Sequence, residues 1–359
     1  MRRMNMTTVP DEYKQAAPEA SQGKLHELTY TVNTYINAAR QLVTNLPIDA
    51  NEAGRPVVAG EPIQKSCNVY VPAGYHADDK TRRYDVLYLL HGVGGDQFEW
   101  LRGSGEVDGK FVICNILDYL IASGEIDPLI VVFPNGRSSV EWKDTSFTFT
   151  GINLLGFYYF DYELRHDLIS IIESTYPTFA NYKDTTPEGM AYNRKHRAIA
   201  GLSMGGMQAL NLTLGGYRSD AAEYVADKRD GLTELAPTVP AAGMQDLFAY
   251  VGAFSNAPTT SDGSQLGSSI KAAGHRFDLL YMTCGDADEI SISHYHNAIE
   301  GLQEAAGDRL GRFYQIVMSD GVHDFNVWTT GAYHFAQLAF QPVEEQQYPE
   351  SIRSTLTLT

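Results

Sequence analysis

HRAIAGLSMGGMQALNLTLGG, residues 196–216, opens with a short apolar run, turns at Gly201-Leu202-Ser203-Met204-Gly205, and continues from Gly206 to Leu214 with helical composition. The spacing predicts a buried strand over Arg197 to Ala200, a G-x-S-x-G turn and a helix, which is a nucleophile elbow. Such a turn must reverse sharply and push the serine hydroxyl out of the sheet edge. Gly201 and Gly205 let the backbone close where a Cβ would clash. Ser203 is therefore the candidate nucleophile, facing helix N-terminal amides that favour negative charge. The bland reading is a glycine-rich turn with an idle serine, but a match set between a buried strand and a helix is rarer than the bare motif.

Outward from the elbow, apolar runs that read as buried strands alternate with segments of helical period. The strand candidates are Val69 to Val71, Val86 to Leu90, Leu129 to Phe133, Tyr250 to Phe254, Leu279 to Thr283 and Tyr314 to Met318. Phe111 to Ala122 and Tyr162 to Ser174 fit helices between them. The expected fold is α/β: an α/β-hydrolase with a mainly parallel central sheet flanked by helices. It carries an N-terminal extension, in which Leu25 to Ile36 could add strands at the sheet edge, and an irregular insertion over 215–246. That insertion reads equally as an active-site lid or as a surface elaboration. We expect a flexible segment over 1–22, one catalytic domain over 23–341, and a loosely attached tail over 342–359.

Composition sets the outer limits. The 359 residues are 43% hydrophobic and 20% charged, enough for a large core. The formal charge of −17 would repel both a phosphate backbone and anionic lipid. Nucleic acid and membranes are therefore poor partner candidates. Cys67, Cys114 and Cys284 show no metal-ligand spacing and read as reduced and structural. The N-terminus has positive charge but no apolar run behind it, so the chain as given reads as cytoplasmic; a chain whose signal had been removed would read the same.

A serine needs a base and an oxyanion site. Tyr84 to Leu90 runs into His91-Gly92-Val93-Gly94-Gly95, an H-G-x-G-G loop that would offer the Val93 amide beside that of Met204. His91 reads as loop-fixing. Among ten histidines, His323 follows a strand and precedes a helix, as the order nucleophile, acid, base requires. The acid should close the preceding strand, where Gly285-Asp286-Ala287-Asp288-Glu289 offers three carboxylates that periodicity does not separate. The same loop with His294 and His296 could suggest a metal, but a helix start after an acidic loop explains it without a ligand.

KHRAIAGLSMGGMQAL, YDVLYLLHGVGGD, CGDADE and GVHDFNVW together resemble the feruloyl esterase branch of carbohydrate esterase family one, which is similar in turn to esterase D and the bacterial mycolyltransferases. The likeness covers roughly residues 60–340. It implies Asp288 as the acid, three positions after the strand-ending glycine. It also implies ester hydrolysis through an acyl-serine, with no metal or organic cofactor, on hydroxycinnamoyl esters of plant polysaccharides. The partner implied is then a small-molecule or oligosaccharide ester, and nothing in the sequence fixes the oligomeric state, a dimer included. Phe98, Trp100, Trp142 and Tyr158 are candidates to stack on a phenolic ring, although each is more commonly a core residue. Rival readings are an acetyl-xylan esterase, an S-formylglutathione hydrolase or an acyltransferase with the same machinery, and a catalytically silent glycan-binding protein.

Overall fold

The computed structural model describes residues 6–44, 57–79, 81–147, 151–220, 238–341 and 350–358. Nine strands form the central sheet: β1 (Lys24–Val32), β2 (Ile63–Val71), β3 (Asp85–Leu90), β4 (Leu129–Phe133), β5 (Arg197–Leu202), β6 (Tyr250–Phe254), β7 (Phe277–Gly285), β8 (Leu310–Ser319) and β9 (Glu350–Thr357). Their order is β1-β2-β4-β3-β5-β6-β7-β8-β9. β2 runs antiparallel to both β1 and β4, and every other pairing is parallel. Alternation along β3 shows why the sheet is covered twice. Val86, Tyr88 and Leu90 enter one apolar cluster, while Leu87 and Leu89 enter the other. This is the mainly parallel, helix-flanked sheet that the apolar runs predict, and all seven expected strands lie in it. Leu25 to Ile36 does add the edge strand β1.

The two chain ends correct the sequence reading. Residues 6–22 are not a flexible segment: Val9 and Ala17 are buried, Tyr13 stacks on Tyr119 at 5.0 Å, and His334 Nε2 donates to the Thr7 carbonyl at 2.7 Å. Isolated apolar residues in a polar stretch give no periodic signal, yet each fills a site on the helix layer. Likewise, Glu350–Thr357 is no loose tail but a parallel edge strand beside β8, its residues alternating between half-buried and exposed. Of the insertion over 215–246, Tyr217–Ser219 pairs with Thr238–Pro240; the apical part, 221–237, lies outside the described residues.

One buried carboxyl ties the N-terminal segment down. Asp118, on the helix Val112–Ala122, accepts at Oδ1 from the Gly23 amide at 2.7 Å and the Tyr70 hydroxyl at 2.6 Å. Burial pushes its pKa up to about 6, against the lowering effect of those two bonds. A folded-state value above the unfolded one means the fold binds this proton more tightly, so stability falls as pH rises from about 4 to about 6. Asp118→Asn keeps an acceptor for both bonds and removes the charge. We expect it to stabilise the fold by about 1–2 kcal/mol at pH 7.5, the gain vanishing near pH 4. Urea unfolding at the two pH values checks this.

Candidate active site

β5 is the fifth of nine strands, and the chain leaves its end through Ser203 at φ 51°, ψ −115°. A non-glycine residue at positive φ is strained, and the surroundings hold it there. The Ser203 amide donates to the Phe254 carbonyl at 2.9 Å, and its carbonyl accepts from Met207 and Ala257 amides at 3.0 and 3.1 Å. A Cβ on Gly201 would sit 2.5 Å from the Gly205 carbonyl, and one on Gly205 would sit 2.7 Å from the Leu90 and His91 carbonyl oxygens. Both glycines are therefore obligatory. The helix Met204–Met207 follows and widens into a π-helical turn over Gln208–Leu212.

β7 and β8 end side by side, and their loops are joined backbone to backbone. The Ala287 amide donates to the Gly321 carbonyl and the Asp286 amide to that of Met318, both at 3.0 Å. A Cβ on Gly285 would lie 2.0 Å from the Gly321 oxygen, so a side chain there would force the loops apart. The contact leaves the three carboxylates in different places. Asp286 is exposed and takes the Asp320 amide at 2.7 Å. Glu289 is exposed. Asp288 is buried, with Oδ2 2.8 Å from His323 Nδ1 and Oδ1 accepting from the Ile290 and Ser291 amides at 3.1 and 2.9 Å. Burial alone would raise its carboxyl, but the bond and charge of His323 with the Ser291 amide outweigh it and hold the pKa below the ordinary carboxylate value.

His323 Nε2 lies 3.1 Å from Ser203 Oγ. With Nδ1–H donated to Asp288, Nε2 is left to accept the serine proton. The ring meets Trp328 edge-on at 5.0 Å, while Asp324 caps the helix Phe325–Leu338 by accepting from the Asn326 and Val327 amides. Ser203 is buried, at 8% exposed. The H-G-x-G-G loop lies against it, since a Cβ on Gly92 would be 3.4 Å from the Ser203 Cβ. Among the described residues, no protein acceptor takes the amide of Val93 or of Met204.

The four aromatic candidates are not brought together with these groups. Trp100 is 1% exposed; its Nε1–H donates to the Leu90 carbonyl at 2.8 Å and its ring packs on Phe254 and Phe325. Tyr158 is also 1% exposed, inside the opposite core. Trp100 offers no face for stacking, since large rings gain most by full burial, whereas Tyr158 also lines a cavity with Tyr217, Arg218 and Thr259. Trp142 is buried beside the Lys65 ammonium, and half-buried Phe98 carries the Arg102 guanidinium at 4.4 Å from its ring. Sequence reasoning missed three things. Ser291 Oγ approaches His323 Nδ1 at 3.4 Å while donating to the Ser255 carbonyl. Val322 and Ile290 stand 46% and 47% exposed on the loops that carry His323 and Asp288; an apolar residue beside each motif was the available signal. The third is buried Arg137, whose contacts are described below. No group of three His, Cys, Asp or Glu side chains among the described residues is arranged to hold a metal, and no helix among them is long and apolar enough to cross a membrane.

Comparison with known proteins agrees with this architecture. Residues 64–219 match the family described as "Putative esterase". The chain is 37% identical over 143 residues to endo-1,4-beta-xylanase Y of Acetivibrio thermocellus, covering 40% of this chain and 11% of that protein. It is 36% identical over 152 residues to an endo-1,4-beta-xylanase/feruloyl esterase of Xylanibacter ruminicola, covering 42% and 18%. It thus spans less than a fifth of the length of these curated relatives. Among solved structures, a CE1 ferulic acid esterase from Anaeromyces mucronatus in complex with ferulic acid superposes with a TM-score of 0.63 at 18% identity, over 94% of this chain and 98% of that one. The feruloyl esterase module from Clostridium thermocellum complexed with sinapinate gives 0.61 at 21% identity, over 95% of each. The fold these likenesses show is that of an α/β-hydrolase.

Proposed function

We propose that this feruloyl esterase-like chain is a serine esterase that cleaves hydroxycinnamoyl esters of plant cell-wall polysaccharides through an acyl-enzyme. One observation carries the reading: the hydrogen-bonded run from buried Asp288 through His323 to Ser203 Oγ, beside two amides without acceptors. In the first half-reaction Ser203 Oγ bonds to the ester carbonyl carbon as its proton passes to His323 Nε2. The carbonyl oxygen takes the negative charge facing the Val93 and Met204 amides, and collapse expels the sugar oxygen, which leaves with the proton from His323. Water repeats the sequence, releasing the hydroxycinnamate and restoring the serine hydroxyl. Each oxyanion amide contributes about 3 kcal/mol in comparable sites. Asp288 keeps the proton on Nδ1 and stabilises the transient imidazolium. The choice of acyl group is supported by the ligands of the two similar structures and by the apolar Val322 and Ile290 beside the base and acid. Action on wall polysaccharide requires export, so the secreted form of the chain goes with this reading.

Purified protein should label with a fluorophosphonate at Ser203, and should turn over methyl ferulate at least about tenfold faster, in kcat/KM, than an acetylated xylo-oligosaccharide or a short-chain thioester. Faster turnover of the acetyl sugar or the thioester would move the assignment to an acetyl-xylan esterase or an S-formylglutathione hydrolase. Absence of labelling would leave the silent glycan-binding alternative.

A further inference from the structure

Resting on the esterase reading, we propose that Arg137 is a positioning residue that holds the H-G-x-G-G loop from behind and so aims the Val93 amide at the developing oxyanion. The loop contains three glycines in five residues, and left to itself it would sample many orientations of each peptide plane. Four contacts remove that freedom. The Gly92 amide donates to Glu99 Oε2 at 2.5 Å. The Gly92 carbonyl accepts from His91 Nδ1–H at 2.7 Å, a tautomer fixed because His91 Nε2 accepts the Gly136 amide at 2.9 Å. Arg137 supplies the other two, donating from Nη2 to the Val93 carbonyl and from Nη1 to the Gly95 carbonyl at 2.6 Å.

A trans peptide is planar, with C=O and N–H pointing in opposite directions. Fixing the Gly92 carbonyl against His91 therefore turns the Val93 N–H the other way, and fixing the Val93 carbonyl against Arg137 stops rotation at the following peptide. Both dihedrals that could swing the Val93 amide are then locked. A guanidinium suits this task because its two terminal nitrogens reach two carbonyls at fixed separation, which an ammonium on a flexible stem does not.

The setting of Arg137 agrees with such a role. Its side chain is fully buried over the Phe157 ring at 4.8 Å, and its Nε has no partner. No carboxylate among the described residues lies within ion-pair distance of it. Burial pushes its pKa down to about 10, so it remains a cation at neutral pH. Burying a charge without a close ion pair is costly for the fold, a cost that the longer-range attraction of Glu99, Asp96 and Asp144 offsets in part; what the guanidinium gives the site is the fixed placement of the loop carbonyls.

Arg137→Lys keeps the charge and loses the fork, and Arg137→Met loses both. Against methyl ferulate, kcat should fall by about 10-fold in the first and about 100-fold or more in the second. Affinity for phenylboronic acid, which forms a tetrahedral adduct on the serine, should fall in parallel. KM and the dissociation constant for ferulate should stay within about threefold, since neither senses an oxyanion. Melting temperature and circular dichroism identify a variant that does not fold, and the lysine variant then decides. Unchanged kcat in a folded variant, or equal losses in boronate and ferulate affinity, would overturn the inference while leaving the esterase reading intact. If the wild-type protein neither labels with fluorophosphonate nor cleaves ester, the esterase reading fails and takes this inference with it.

Discussion

Ser203→Ala should lower kcat on methyl ferulate by about 10⁶-fold while ferulate still binds and the melting temperature moves little. The hydroxyl makes one hydrogen bond among the described residues, to His323 Nε2, and removing a single oxygen leaves little void. Alanine tolerates φ 51° no worse than serine, and the main-chain bonds to Phe254, Met207 and Ala257 survive. His323→Ala should be as damaging alone, and the double variant no worse than either, because nucleophile and base act in one step. Residual rate over water would then report the Val93 and Met204 amides. Steady-state kinetics and intact-mass detection of a fluorophosphonate adduct measure both effects. Retention of more than about 1% of kcat in Ser203→Ala would remove the serine from the mechanism.

Asp288→Asn should cost about 10⁴-fold in kcat with little change in KM. An asparagine that keeps its acceptor on the Ile290 and Ser291 amides turns its NH₂ toward His323 Nδ1, which must then accept. The proton moves to Nε2, where it blocks uptake of the serine proton. Asp286→Asn is the control, because Asp286 holds only the Asp320 amide and its variant should stay within about threefold. Acid behaviour separates the two as well. Because the folded Asp288 carboxyl lies below its ordinary 3.8, its contribution to stability is fully present above that value. It is lost as pH falls through the folded value, so wild type should lose its advantage over Asp288→Asn only in strong acid. Equal losses from the two substitutions would reassign the acid.

The elbow and the sheet were legible because their signals are local. Gly201-Leu202-Ser203-Met204-Gly205 sits between an apolar run and a helical period, and each inner strand is a bounded apolar block. The position of Asp288 was not local information. The loop sequence offers three carboxylates, and it is the folded loop, held against Gly321, that buries the second of them, Asp288, against the imidazole. Resemblance to a family, not spacing, had singled it out. β9 was read as a tail because Ser351, Arg353 and Ser354 dilute its alternation; its value lies in covering the edge of β8. Two of the four aromatic candidates, Trp100 and Tyr158, are buried for the opposite reason. Trp100 follows the H-G-x-G-G loop in sequence, but its area carries it into one core, as that of Tyr158 carries it into the other. Arg137 gave no signal, since a cation bonded to carbonyls of another loop is visible only after folding.

The order of the strands ranks the active groups by their distance from the sheet's rim. The hydroxyl follows the middle strand, which has four neighbours on either side, whereas the imidazole follows β8, with β9 the one strand between it and the sheet's edge among the described residues. Partial opening from that rim would disarm proton transfer while the nucleophile's strand stays in register. Heat or mild denaturant should thus silence the proposed ester cleavage reversibly, well before the centre of the sheet melts.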